Sequence, residues 1–156
     1  MKIILKYISL PLLIILCLTV MTSMAENPEK KIEGVWKESV WEYEKVDKND
    51  TVSKDFKNLS NYVKEIASQN LVIHKTEKWI FKSNKKLILK GKDTTKELTW
   101  NIKGRGNILE LKYNDNTLEH YTLTEISNDR LVLNFNTNTD IRGIVRLTFE
   151  KLNKNA

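Results

Sequence analysis

The sequence predicts an all-β protein of about eight antiparallel strands in up-and-down order, closed into a barrel, with one helix after the first strand. Three observations carry this. The last two-fifths of the chain alternate apolar and polar residues on short segments: Leu98, Trp100 and Ile102; Leu109, Leu111 and Tyr113; Tyr121 and Leu123; Leu131, Leu133 and Phe135; Val145, Leu147 and Phe149. Period-two alternation closed by Gly, Asn or Asp marks strands with one wet and one dry face. The connections are too short for parallel crossovers, so neighbours are antiparallel hairpins. A meander of this length left open would expose two edges, and closure into a barrel removes both.

The first residues read as a leader over 1–25. Lys2 and Lys6 supply its positive start, Ile8 to Val20 its apolar stretch and Ser23-Met24-Ala25 a small-x-small cleavage site. A single membrane anchor is the competing reading, but the run is short for a span and is interrupted by Pro11. The mature chain is then exported, periplasmic or secreted, with no membrane span after cleavage. Cys17 is the only cysteine, and the residues around it, Ile15-Leu16 before and Leu18-Thr19-Val20 after, fit a lipid-attachment signal poorly. Lipid anchoring at Cys17 is therefore not expected, and the exported protein has no thiol chemistry.

The formal charge of the whole chain is +6, two units of it from the leader lysines, and the basic residues are mostly Lys scattered among acids. Nucleic-acid binders concentrate Arg and Lys on one face beside stacking aromatics, so no nucleic-acid partner is expected.

Residues 26–33, polar and containing Pro28, read as a flexible lead-in to a single domain over 34–152. Gly34-Val35-Trp36 opens the first strand, whose alternation slips between Val40 and Trp41, which predicts a bulge there. After the charged loop Lys45–Asp50, Phe56, Leu59, Tyr62, Val63 and Ile66 recur at spacings of three and four. That stripe predicts a helix of about four turns, with Ser53 as N-cap, Asp55 in the first turn and Asn70 near its end. Extended chain resumes from Leu71 and Ile73, with Trp79 and Phe81 sharing the inner face and Ile80 opposite. Short turns then separate strands at 87–89, 95–103, 108–113, 117–126, 130–136 and 141–152.

A barrel of about eight strands is just wide enough to be filled by side chains or to hold one small ligand. Trp79, Phe81, Trp100, Tyr113, Tyr121 and Phe135 are the candidate ligand-binding wall, and the same rings would equally make a filled core. His74 and His120 are the only histidines, and Glu77 or Glu119 is the only nearby acid for either, short of the three or four ligands a metal site needs. No Gly-x-Ser-x-Gly elbow is present, and Glu97, Glu110, Glu119 and Glu125 fall on faces that read as solvated. Enzymatic activity, a metal and a cofactor are not expected.

The Gly34-Val35-Trp36 opening resembles the Gly-x-Trp of lipocalins. The stretch from Tyr121 to Leu133, with a terminal Leu147-Thr148-Phe149-Glu150-Lys151, is similar to the closing strands of the small exported lipocalin-like domains of bacteria. The resemblance implies a calycin-type barrel that carries a hydrophobic molecule. It also implies that Trp36 packs at a closed end beneath an arginine of the last strand, with Arg146 and Arg142 as candidates. An early helix is instead similar to the portal cap of fatty-acid-binding proteins. Two functions follow as expectations: binding of a small hydrophobic molecule, or a protein-binding envelope module (inhibitor or accessory subunit) with a filled barrel. The loops to test for the second are Lys45–Asp50, Lys103–Asn107 and Thr137–Asp140.

Overall fold

The structure is a computed structural model that describes residues 27–45, 57–137 and 143–152. The leader over 1–25, the helix start at Ser53, Asp55 and Phe56, most of the loops 45–50 and 137–140, Ile141 and Arg142 lie outside the described residues.

A short helix, α1 (Pro28–Ile32), leads into β1 (Gly34–Lys45) and β2 (Lys57–Asn58), followed by α2 (Asn61–Ser68). Then come β3 (Lys78–Phe81), β4 (Lys86–Lys90), β5 (Thr95–Lys103), β6 (Ile108–Lys112), β7 (Leu118–Ile126), β8 (Arg130–Thr137) and β9 (Gly143–Leu152). Strands β3 to β9 pair antiparallel in sequence order; β1 pairs with β3 on one side and with β9 on the other. The sheet thus closes into an eight-stranded barrel, and β2 is a two-residue patch on the far half of β1. Alternate residues through most of β5 and β7 are buried or half-buried, as hairpin pairing of half-wet strands requires.

Several local features differ from the sequence reading. The bulge lies between Glu38 and Val40, where Ser39 donates its hydroxyl to the Thr148 carbonyl at 3.1 Å; the extra residue turns Trp41 back toward the interior. The lead-in over 26–33 contains an ordered turn of helix. Its cap is Asn27, whose side chain accepts from Glu29 N–H at 2.9 Å, with Pro28 in the first turn, and Ile32 is fully buried. Proline is favourable at that position because its missing N–H would have no partner anyway.

The predicted four-turn helix is half that length. Leu59 N–H donates to the Trp41 carbonyl at 2.8 Å, so the chain stays extended until Ser60, whose hydroxyl accepts from Val63 N–H at 3.4 Å. Nor does strand resume at Leu71. Residues 71–75 are successive turns, with Lys75 at φ 59°, and β3 begins only at Lys78.

Candidate functional site

The barrel has two unlike ends. At one, α1 closes the interior: Trp36 is fully buried and its Nε1–H donates to the Ile32 carbonyl at 2.7 Å. The cation above its ring is Lys151, with Nζ 4.9 Å from the ring centroid and donating to the Lys31 carbonyl at 3.0 Å. Arg146, one of the two arginines expected there, faces outward toward Glu42 at 3.8 Å, because alternation along β9 puts it opposite Leu147. Burial pulls the Lys151 ammonium below its ordinary value, and the Glu33 charge acts the other way. Lys151→Met should lower the unfolding free energy by about 1 kcal/mol, measured by urea denaturation, with Lys151→Arg largely restoring it.

Five of the six aromatic candidates meet in the interior. Trp100 and Phe81 are edge to face at 5.5 Å, Phe81 and Trp79 lie 6.1 Å apart, Trp79 and Tyr121 6.2 Å, and Tyr121 and Phe135 5.7 Å. Two residues absent from that candidate set join them: Phe149 at 4.9 Å from Trp79 and Trp41 at 6.1 Å from Phe135. Phe149 shares the inward parity of β9, which was the available signal; Trp41 is off the parity set by Trp36 and points inward only because of the bulge between Glu38 and Val40. The sixth candidate, Tyr113, is half-buried at the turn between β6 and β7, where its N–H donates to the Thr117 carbonyl at 3.0 Å.

At the opposite end α2 and the turn over 69–76 form a lid. Its centre is Glu38, whose side chain is 5% exposed and accepts four hydrogen bonds. Lys64 Nζ donates at 2.6 Å and Trp41 Nε1 at 2.9 Å to Oε2; Trp79 Nε1 at 3.1 Å and Thr76 Oγ1 at 3.3 Å donate to Oε1. Lys64 also lies 4.7 Å over the Trp41 ring. A second carboxylate, Glu119, accepts the Tyr121 phenol and the Val72 N–H, each at 2.6 Å. Burial, then the charge and hydrogen bond of Glu119, then the charge of Glu38, push the Tyr121 phenol well above its ordinary range. Lys96 Nζ ties the lid to β5 through the Val72 carbonyl at 2.7 Å. Gly91 lets the hairpin between β4 and β5 pass against the lid, since a Cβ there would run into the Lys75 carbonyl.

Glu119 and Glu110 are thus not on open solvated faces. Glu119 shares the inward row of Tyr121, and Glu110, though on an outward row, is covered by Lys103 at 2.6 Å and His120 at 2.9 Å, which hold its carboxyl below the usual range. His74 Nδ1 lies 3.1 Å from Ser68 Oγ, and that hydroxyl also donates to the Lys64 carbonyl at 2.8 Å, a fastening at the end of α2. A cleft of about 360 Å³ between α2 and the hairpin is lined by Lys64, Ser68, Lys75, Thr76 and Lys92 among others; none of the six aromatic candidates lines it. Among the described residues no group of three or more His, Cys, Asp or Glu is placed to hold a metal, and no helix is long and apolar enough to cross a membrane.

No protein-family model matches the chain, and no curated protein does. Among solved structures it is similar to bovine odorant binding protein in complex with a selenium-containing odorant, at 14% identity and TM-score 0.42, over 83% of this chain and 75% of that one. The complex of bovine odorant binding protein with undecanal gives 14% identity and TM-score 0.39, over 82% and 75%. The architecture rests on the chain's own strand order: eight antiparallel strands in up-and-down sequence, closed by β1 on β9, with a short helix after β1, make this an up-and-down β-barrel of lipocalin-like topology.

Proposed function

We propose that this protein is an exported, non-catalytic carrier that takes a small hydrophobic molecule through the α2 end of its barrel. The observation that carries the reading is the contrast at that end between an aromatic floor and a lid fastened by polar bonds to two carboxylates, Glu38 and Glu119. Breaking the side-chain contacts of Lys64 and Thr76 with Glu38, of Val72 with Glu119 and of Lys96 with the Val72 carbonyl frees the lid without unzipping any strand pair, and opens the way to Trp41, Phe135, Tyr121 and Trp79. Phe81 and Trp100 continue the wall inward, and Tyr113 stands at the rim. An apolar guest gains about 25 cal/mol per Å² of buried surface, less the cost of ordering guest and lid.

Native mass spectrometry of the purified protein is expected to show a bound small molecule, and an apolar fluorescent dye should enter with saturable affinity. Phe135→Ala, at the mouth and therefore gentler on the fold than a deeper ring, should weaken dye binding about tenfold, the effect of losing about 1.4 kcal/mol of contact. Unchanged dye affinity in a Phe135→Ala protein with native circular dichroism would overturn the site.

One observation favours a second reading. The interior rings touch one another from Trp100 to Trp41, so with the lid shut they fill the barrel as a core. A filled barrel suits an envelope protein-binding module acting through loops, since a rigid scaffold lets loops vary. Lys103–Asn107, a tight turn with Arg105 at φ 58°, is the loop to test; most of 45–50 and 137–140 lies outside the described residues. No co-purified molecule and no dye uptake would favour this reading.

A further inference from the structure

The outer face of β9, β1, β3 and β4 carries an ordered pattern unrelated to the mouth. Leu152, Val35, Ile80 and Ile88 are direct cross-strand partners in one row: Leu152 pairs with Val35, Val35 with Ile80 and Ile80 with Ile88. All four are half-buried or exposed, and a shallow cleft of about 600 Å³ runs along Val35, Ile80 and Leu152. Four strands at about 4.8 Å spacing make the row about 14 Å wide. The next row on one side is Lys37, Lys78 and Lys90, again direct partners and all exposed. On the other side stand Lys82 and Lys86, joined where Lys82 N–H donates to the Lys86 carbonyl at 2.9 Å. The acids bordering these rows are Glu150 opposite Lys37, Glu97 opposite Ile88 and bonded to Lys86 at 2.6 Å, and Glu33 at the cleft edge; farther along β1 and β9, Glu42 faces Arg146. Lys37, Lys78, Lys82 and Lys90 form no ion pair among the described residues.

We propose that this face docks on an anionic phospholipid bilayer, with the aliphatic row pressed into the headgroup boundary and the lysines on lipid phosphates. Like charges directly opposite one another across strands repel, and the Lys37–Lys78–Lys90 row sets two such pairs side by side. An anionic surface removes that repulsion, and the flexible lysine stems reach past the aliphatics to it. The composition selects a bilayer over a protein. Protein interfaces favour Tyr, Trp, Met and Arg and are poor in Lys, whereas these three rows hold five lysines, four aliphatics and neither an arginine nor an aromatic ring. Polybasic surfaces gain roughly additively from each lysine near an anionic leaflet.

The test is cosedimentation of the full chain with vesicles of phosphatidylcholine alone and of phosphatidylcholine mixed with phosphatidylglycerol. The leader, with its apolar segment over 8–20 and Lys2 and Lys6, is common to wild type and variants, so the change in vesicle preference from wild type to variant reads the lysines of this face. Expected is a preference for the mixed vesicles that fades with added salt. Lys78→Glu/Lys90→Glu should cut it at least 25-fold, from about five-fold for each lysine at about 1 kcal/mol each. Ile80→Ser should weaken binding that survives high salt and leave the salt slope unchanged. Equal binding to both vesicle types, or no loss in the double variant with native circular dichroism, overturns the proposal. Binding to an acidic polypeptide but not to mixed vesicles, or a dimer in solution abolished by Ile80→Glu, overturns it in favour of a protein partner or a second copy.

Discussion

Trp79→Ala is expected to remove about 4 kcal/mol of unfolding free energy, the largest single loss in the interior. Trp79 is fully buried on β3 and is the ring on which three others converge, Phe81, Tyr121 and Phe149. Truncating a buried indole forfeits its transfer energy and leaves a cavity that a closed sheet cannot collapse to fill, a cost of about 3–5 kcal/mol. It also strips one donor from Glu38. Since a domain of this size is stable by roughly 5–15 kcal/mol, the variant should fold with a much lower midpoint in urea. Trp79→Phe, which keeps a ring but not the N–H, should lose less than half as much. Equal losses for the two variants would mean that the hydrogen bond to Glu38, and not packing, holds this position.

Glu38→Ala should cost about 3 kcal/mol, by a different route. Removing a buried acceptor leaves its donors unsatisfied, at about 1–3 kcal/mol for each that water cannot reach. The two indole N–H groups, on Trp41 and Trp79, are the donors left stranded, because both rings are buried; Lys64 is partly exposed and recovers solvent. Loss of the same carboxylate also unfastens the lid. Amide hydrogen exchange over 61–76 should therefore accelerate more than exchange in β8 and β9, and Lys64→Met should reproduce the faster lid exchange with little of the global loss. A uniform acceleration through all strands would show that Glu38 acts on the core alone.

The alternating rows of β5 to β9 were readable directly, because side-chain period and turn residues agree there and each strand needs only its neighbour. What escaped was set by contacts distant in sequence. The stripe from Phe56 to Ile66 reads as one helix, yet Lys57 and Asn58 are claimed by Glu42 and Tyr43 of β1, and the helix starts only at Ser60. Leu71 and Ile73 look like strand residues because a buried turn and a strand show the same apolar spacing; Lys75 at positive φ decides between them and is invisible in the pattern. The mouth was half legible. Parity from Trp36 already places Glu38 inward, and parity from Tyr121 places Glu119 inward, but an acid on a dry row reads as a break in the pattern until its donors are known. Half of those donors, Lys64, Thr76 and Val72, sit on the lid, whose position no local rule supplies; the others, Trp41, Trp79 and Tyr121, are on the strands.

The seam between β1 and β9 joins residues at opposite ends of the described chain, Val35 with Leu152 and Lys45 with Gly143. A ribosome delivers β1 first, and its far half must wait for the last strand to be made before it finds that partner. Closure therefore waits for β9, and the entropy of drawing together so long a stretch falls on that one step.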